Sequence, residues 1–242
     1  MKMTTTVLLA ILILTSSNAQ KRIKGNGNVV TIERTTNDYD GISVGGFYHV
    51  ELVDGNEGKI TLTGEDNILD YIETEVKGGI LVIKAKNNKN LIPSRGEGVF
   101  ITIPFESINS VKGSGSGKII GKKTIETNSF KVGTSGSRHV ELNVKSSSVS
   151  VSTSGSSKIQ ISGTADKLEV KSSGSSNVGT YELEVDKATL TLSGSSDARI
   201  AVEESINARI SGSGHVRYRG NPQKINTKTS GSGKITKETA EF

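Results

Sequence analysis

The stretch Val149–Thr180, VSVSTSGSSKIQISGTADKLEVKSSGSSNVGT, contains the pattern that decides the fold. Apolar residues alternate with polar ones around two Ser-Gly-Ser triplets, whose central glycines, Gly155 and Gly174, lie 19 residues apart. Alternation with a period of two is typical of a β-strand with one buried face. The stretch therefore predicts short strands that recur at a fixed interval.

The same triplet recurs through the second half of the chain. Ser-Gly-Ser occurs seven times, at intervals of 18 to 21 residues. The central glycines are Gly115, Gly136, Gly155, Gly174, Gly194, Gly212 and Gly231. Four positions after them lie Ile119, Val140, Ile159, Val178, Ala198, Val216 and Ile235. Four positions before them lie Val111, Val132, Val151, Val170, Leu190, Ala208 and Thr227, and six before lie Asn109, Phe130, Val149, Leu168, Ala188, Ile206 and Ile225. These three mostly apolar columns have the same parity, so we expect them to point inward together.

A repeat of about 19 residues predicts one coil of a parallel β-helix per repeat. A single coil cannot bury its inward face, but coils stacked about 4.8 Å apart pair their backbones with the coils above and below. The usual handedness of parallel crossovers makes the expected helix right-handed. A β-sandwich built from similar hairpins is the alternative, because the period of two fits both folds.

The first part of the mature chain lacks the repeat. We therefore divide the chain into an irregular β part over 20–108 and β-helical repeats over 109–242. Runs such as Val29–Ile32 and Ile80–Ile83 predict strands, and Asp66 and Asn67 favour a helical turn before Leu69. Since a solenoid needs a covered end, this part is the expected cap.

The N-terminus has the organisation of a secretory signal peptide. Lys2 precedes the apolar run Val7–Leu14, and the small residues Ser17 and Ala19 fit a cleavage site that ends a signal peptide over 1–19. Eight apolar residues are too few for a membrane-spanning helix, and no second such run follows. We expect an exported protein of the periplasm or the cell surface, without a transmembrane segment.

Composition excludes several classes of function. The 242 residues include no Cys, which excludes a disulfide scaffold, a thiolate metal site and a Cys nucleophile. Thirty Lys and Arg against 25 Asp and Glu leave a net charge of only +5, well short of a nucleic-acid binder. We expect no nucleic-acid partner.

Several segments in order resemble the GIN head-domain family. They are Gly25–Val30, Asp66–Val76, the strand Val99–Pro104 and the Ser-Gly-Ser repeats. Members of this family, called auto-transporter adhesins, are common among exported proteins of Bacteroidetes-type bacteria. The resemblance covers nearly all of the mature chain and implies an all-β, β-helical fold in the cell envelope. It implies no catalytic residue.

The repeats predict a polar surface ladder along the coils. Hydroxyls aligned at strand spacing would add many weak hydrogen bonds along a repeating ligand, and neighbouring cations would favour sulfated or phosphorylated glycans or anionic lipid headgroups. The expected binding residues are Ser114, Ser116, Ser135, Ser137, Ser154, Ser156, Ser173, Ser175, Lys118, Arg138 and Lys158. Solvated charges that discourage edge-to-edge aggregation are the alternative reading of the cations.

Signals for catalysis or cofactors are weak. Gly113–Lys118 lacks the spacing of a phosphate loop, and Ile119 stands where such a loop has Ser or Thr. His139 and His215 share a repeat position but lie four coils apart, too far to share a metal ion. Glu184 and Glu204 both follow their glycines by ten positions, so a regular stack would place them about 5 Å apart, as in a retaining glycosidase.

We therefore predict a non-catalytic adhesin or a module that binds a glycan or another cell-surface ligand, with no cofactor and no metal. The first alternative is a periplasmic scaffold that associates with itself or another protein. The second is a β-helical enzyme that degrades polysaccharides.

Overall fold

The computed structural model describes residues 22–94 and 96–238, which fold almost entirely as β-structure. The proposed signal peptide over 1–19 lies outside the described residues. The strands before the repeats are β1 (Arg22–Lys24), β2 (Val29–Thr35), β3 (Gly41–Gly46), β4 (His49–Asp54), β5 (Lys59–Glu65), β6 (Ile72–Lys77), β7 (Ile80–Ala85), β8 (Asn90–Ile92) and β9 (Phe100–Phe105). The later strands are β10 (Ser110–Gly121), β11 (Ile125–Gly155), β12 (Lys158–Gly174), β13 (Asn177–Gly194), β14 (Asp197–Gly212), β15 (His215–Arg219), β16 (Lys224–Gly231) and β17 (Lys234–Lys237). The short helix α1 (Asp66–Leu69) and a 3-10 turn (Lys86–Asn88) complete the elements.

The repeats stack as a parallel solenoid, which confirms the predicted β-helical fold. Strands β10 to β14 pair in sequence order, each parallel to the next. The repeat glycines align without slippage, since Gly115 pairs with Gly136 and Gly155 pairs with Gly174. The alternation of the sequence therefore becomes a stack of coils with one inward face.

The predicted inward columns form the core. The columns four positions before and after the glycines are buried from Val111 to Val216. The column six positions before them is buried from Phe130 to Ile206. Asn109 is an exception: it is exposed, and the neighbouring Ile108 is buried instead. Asn109 precedes the first paired residue of β10, Ser110, so the alternation of the coil has not yet begun there.

The stacking extends into the N-terminal part. Strands β3 and β4 run parallel to β10, and Gly46 pairs with Gly115. On their other side, β7 pairs parallel with β3, and β9 pairs parallel with β4. Residues of β3, β4, β7 and β9 thus continue the parallel stack below the first Ser-Gly-Ser triplet.

Antiparallel strands close this end of the stack. Strand β6 pairs antiparallel with β7, β5 with β9, and β2 with β5. The predicted helical turn forms as α1 and buries Ile68 and Leu69. Asp66 of α1 accepts hydrogen bonds from the side chains of Asn26 and Asn28, both at 2.7 Å, which ties the β1–β2 connection to the end of the stack.

The opposite end of the stack is formed by β16 and β17. Every residue of β16 is exposed, including Ile225, which is 41% exposed. Thr227 and Thr229 stand at positions that are Ala208 and Ile210 in the coil below. Polar residues on the outer coil are typical of the terminal repeats of solenoids.

Candidate binding surface

Two columns of serine side chains run along one corner of the solenoid. We call this surface the serine ridge and define it by the serines on both sides of the repeat glycines. They are Ser114, Ser116, Ser135, Ser137, Ser154, Ser156, Ser173, Ser175, Ser193, Ser195, Ser211, Ser213, Ser230 and Ser232, all of them exposed. The register places each above its equivalent, for example Ser114 with Ser135 and Ser116 with Ser137. The eight serines predicted from the sequence therefore lie on one surface.

The glycine between the two columns allows the chain to turn the corner. Gly155 has a φ of +103°, and a Cβ added there would lie 2.6 Å from the carbonyl oxygen of Gly136. A side chain at this position would thus face both an unfavourable backbone conformation and a backbone clash. The Ser156 amide donates to that same carbonyl oxygen at 2.8 Å, so inter-coil pairing continues through the corner.

The hydroxyls of the ridge point to solvent. Across the described ranges 22–94 and 96–238, none of them takes part in a hydrogen bond with another protein group. The hydroxyl groups that do bond to one another, those of Thr134, Thr153 and Ser176, lie inside the solenoid. The ridge serines therefore keep their donors and acceptors for water or for a ligand.

Two of the three predicted cations flank the ridge. Lys118 and Lys158 are exposed and lie three positions after their glycines, with His139 between them in register. On the other side of the ridge, three positions before the glycines, lie the exposed cations Lys112, Lys171, Arg209 and Lys228. The serine ridge is thus bordered by positive charge on both sides.

Arg138, the third predicted cation, is not part of the surface. It is only 1% exposed, so the expectation that it joins the surface ladder is wrong. Arg138 lies two positions after Gly136, in an inward column that Ser157, Ser176 and Ser196 occupy in later coils. Parity along the strand directs this column into the core.

The Arg138 guanidinium binds backbone carbonyl groups across two lower coils. Its Nη1 donates to the Tyr48 carbonyl oxygen at 3.1 Å, and its Nη2 donates to the Gly46 carbonyl oxygen at 2.7 Å. A further Nη2 bond reaches the Ser114 carbonyl oxygen at 2.5 Å. Burial lowers the pKa of Arg138 to about 10, which still leaves the side chain protonated at neutral pH.

Gly113 makes room for this side chain, and Gly117 makes room for the backbone of the coil below. A Cβ at Gly113 would lie 3.0 Å from Arg138 Nε, and a Cβ at Gly117 would meet the Tyr48 carbonyl oxygen. The Gly-Ser-Gly-Ser-Gly of 113–117, which superficially matched a phosphate loop, lies within strand β10. Of the extra glycines in this segment, Gly113 therefore accommodates the buried arginine.

A second polar feature that the sequence analysis did not predict is a ladder of hydrogen-bonded hydroxyl groups inside the solenoid. Thr134 donates to Thr153 at 2.9 Å, and Thr153 lies 2.9 Å from the Ser176 hydroxyl. Ser176 also donates to the Gly155 carbonyl oxygen at 3.2 Å. The sequence did contain a signal for this ladder. Its hydroxyls lie two positions from a repeat glycine and the ridge serines lie one position from it, so alternation along the strand places the two sets on opposite faces.

The carboxylates proposed for hydrolysis do not face each other. Glu184 pairs with Ala201 in the next coil, because register shifts interrupt the β13–β14 ladder. Glu204 forms an ion pair with Lys187, with the Glu204 Oε2 and Lys187 Nζ atoms 3.2 Å apart. The regular spacing that the glycosidase alternative needs is therefore absent at these two residues.

The two repeat histidines each lie beside a single carboxylate. His139 Nε2 lies 3.7 Å from Glu141 Oε2, and His215 Nδ1 lies 3.4 Å from Asp197 Oδ1. In the part of the chain that the structure describes, no three His, Asp or Glu side chains group as metal ligands would. No helix within those residues has the length and apolar character needed to cross a bilayer.

Several solved structures are similar to this chain. A putative adhesin from Bacteroides fragilis aligns with a TM-score of 0.81 and 20% identity over 89% of this chain and 100% of the other. A putative lipid binding protein from Parabacteroides distasonis aligns with a TM-score of 0.74 and 26% identity over 90% and 100%. A putative adhesin from Parabacteroides merdae aligns with a TM-score of 0.71 and 20% identity, also over 90% and 100%. These likenesses establish a shared fold.

No curated protein matches the sequence. A family model does match, over residues 38–222, which include the first stacked coil, the end-closing strands β5 and β6 and most of the serine ridge. The segments that resembled the GIN head-domain family fall largely within this match. The chain therefore belongs to the family described as "Putative auto-transporter adhesin, head GIN domain".

Proposed function

We propose that this protein is a non-catalytic adhesin of the cell envelope that binds an anionic glycan along the serine ridge. One observation carries the proposal: the ridge presents two columns of exposed hydroxyls in register, with no protein partner among the described residues. Family membership supports an adhesin-like surface role. The proposal assigns contact with the ligand to Ser114, Ser116, Ser135, Ser137, Ser154, Ser156, Ser173 and Ser175.

The charges beside the ridge favour an anionic ligand. Lys118 and Lys158 border one side, and Lys112 lies on the other. An extended polymer would meet equivalent groups at each coil, about 4.8 Å apart, so weak contacts would add along its length. Free hydroxyl groups would orient the sugars, and the cations would supply the preference for sulfate or phosphate groups.

Binding to immobilised heparin tests this proposal, with uncharged dextran as the control surface. The double change Ser135→Ala and Ser154→Ala should weaken binding several-fold, because it removes neighbouring ridge hydroxyls. The matched double change Ser129→Ala and Ser147→Ala removes exposed serines away from the ridge and should leave binding unchanged. Equal binding of both variants, or equal retention on dextran, would refute the role of the ridge.

Charge is tested separately. Lys118→Ala with Lys158→Ala should weaken heparin binding and make it less sensitive to salt, because fewer exposed cations are then screened. An unchanged salt dependence would show that these lysines do not contact the polyanion.

Protease treatment of intact cells tests the location. The surface role predicts digestion on intact cells, before the outer membrane is opened. Protection until the membrane is opened would refute adhesion and favour the scaffold alternative. The exposed strand β16 would then be the first place to look for an assembly contact.

A further inference from the structure

Three arginines lie near Tyr181 and the Glu238 carboxylate at the C-terminal end of the solenoid. Tyr181 donates its hydroxyl hydrogen to Glu238 Oε2 at 2.6 Å, and Arg217 Nε lies 3.5 Å from Glu238 Oε1. The Arg219 guanidinium lies over the Tyr181 ring, 4.2 Å from its centroid. Arg199 pairs in register with Arg217 on the next coil. This cluster lies on the strands that follow the corner, away from the serine ridge.

A bulge in β13 brings Tyr181 to the cluster. Thr180 pairs with Ile200 and Glu184 pairs with Ala201, so the three residues between Thr180 and Glu184 have no counterpart in the next coil. The extra residues displace Tyr181 from the regular ladder. Bulges commonly redirect a side chain in this way.

The cluster holds more positive charge than its own carboxylate balances. Among the described residues, Glu238 forms the only ion pair of Arg217, and neither Arg199 nor Arg219 is in an ion pair. Arginines on neighbouring coils repel each other when no anion separates them. The cluster is therefore suited to hold a carboxylate.

A groove leads from the cluster along the solenoid. It has a volume of about 310 Å³, and its polar lining consists of Gln160, Ser162, Tyr181 and Arg199 together with two carboxylates, Glu141 and Glu182. The volume lies at the small end of ligand sites, which suits one or two sugar rings. Gly179 also lines the groove and places no side chain in it.

We propose that Tyr181, Arg199 and Arg217 form a subsite for the carboxylate of an acidic sugar, and that Glu238 fills this subsite when no sugar is bound. The sugar carboxylate takes the place of the Glu238 carboxylate, and the sugar ring extends into the groove, where Gln160 and Ser162 bind its hydroxyls. Only one side chain has to move. The Glu238 side chain is 35% exposed, so rotation toward solvent vacates the subsite. This inference does not depend on binding at the serine ridge.

Glu238 then competes with the ligand, so removal of its charge should increase the affinity for the ligand. The probe is a galacturonic acid oligosaccharide, titrated into the full chain by calorimetry. Glu238→Gln removes the competing charge, so the probe should bind about five-fold more tightly, the factor expected for loss of an exposed ion pair. Adding Arg217→Gln to Glu238→Gln should abolish this gain. If Glu238→Gln leaves binding unchanged or weakens it, the proposal is overturned.

Two further probes separate the sugar from its charge. The fully methyl-esterified oligosaccharide has the same rings without the carboxylates and should not bind. Acetate has the carboxylate without the ring and should bind far more weakly than the oligosaccharide. Binding of the ester, or equal binding of acetate, would overturn recognition of an acidic sugar.

A spectroscopic titration shows whether Glu238 occupies the subsite in solution. Burial and the Glu238 carboxylate together raise the pKa of Tyr181 to about 12. Glu238→Gln should lower the pKa of Tyr181, and the oligosaccharide should raise it again in that variant. An oligosaccharide that binds without changing this pKa would be bound elsewhere, which would overturn the assignment.

Discussion

Arg138 Nη2 donates a 2.7 Å hydrogen bond to the carbonyl oxygen of Gly46, which lies 92 residues earlier in the chain. This bond joins the second Ser-Gly-Ser coil to the first stacked coil of the N-terminal part. Because Gly46 also pairs with Gly115, the arginine bridges the junction between β10 and the coil of β3 and β4, which are separated along the chain by β5 to β9. The two parts of the chain thus share one buried contact network.

Replacement of Arg138 by Ala should destabilise the fold strongly. It would remove the guanidinium donors from the carbonyl oxygens of Tyr48, Gly46 and Ser114 and would open a cavity. The expected loss is about 3 kcal/mol in the free energy of unfolding. Chemical denaturation measures this loss. Lys118→Ala is the control, because it removes an exposed cation from the same part of the stack, and its effect should be within about 0.5 kcal/mol.

Replacement of Gly155 by Ala should destabilise the solenoid by about 2–4 kcal/mol, because the φ of the residue and the contact with the Gly136 carbonyl both oppose a Cβ. Gly133→Ala is the matched control: it lies in the same sheet without a left-handed φ, and its nearest neighbour is Lys112 Cγ at 3.5 Å. Thermal melting should separate the two variants clearly. Similar melting temperatures would contradict the role of the glycine column.

Replacement of Thr153 by Val should break the internal hydroxyl ladder. Thr153 is 5% exposed and bonds to both Thr134 and Ser176, so its loss leaves the buried Thr134 hydroxyl without a partner and removes one of the two partners of Ser176. We expect a loss of about 1–2 kcal/mol, measured by denaturant unfolding. The pair Thr134→Val and Thr153→Val should cost less than the sum of the single changes, because it removes both ends of one bond. Thr191→Val, on the exposed face, is the control.

Stability should decline in acid partly through Glu65. Burial favours the protonated form of this side chain, but hydrogen bonds from the Ser94 hydroxyl and amide and the Gly27 amide outweigh burial and hold the pKa of Glu65 below its ordinary value of 4.5. A lowered folded-state pKa means that this contribution is fully present above the unfolded pKa. It is lost as pH falls through the folded value.

Denaturation at several pH values below 5 checks this prediction. Glu65→Gln should lower stability at neutral pH and flatten the decline in acid. Glu33→Gln, which changes an exposed carboxylate in the same cap, should preserve the wild-type decline. If Glu65→Gln has the same acid profile as the wild type, Glu65 does not contribute to the acid sensitivity.

The sequence by itself determined the coils, the buried columns from Val111 to Val216 and the positions of the exposed serines. Each follows from local rules, since alternation in a strand assigns every residue to a face and a regular glycine spacing keeps successive coils in register. The helical turn at Asp66 was also predicted, but its N-cap is Glu65, which makes no capping hydrogen bond through its side chain.

Only the tertiary structure decided which residues meet across distant parts of the chain. Gly46 belongs to the glycine column although it lacks flanking serines, and the inward side chain of Arg138 reaches the carbonyl oxygens of Tyr48 and Gly46. Because of the bulge in β13, Glu184 pairs with Ala201 and not with Glu204 as predicted, and Tyr181 forms a hydrogen bond with Glu238. A bulge changes register by whole residues, which moves side chains to new partners while the repeat in the sequence continues almost unchanged.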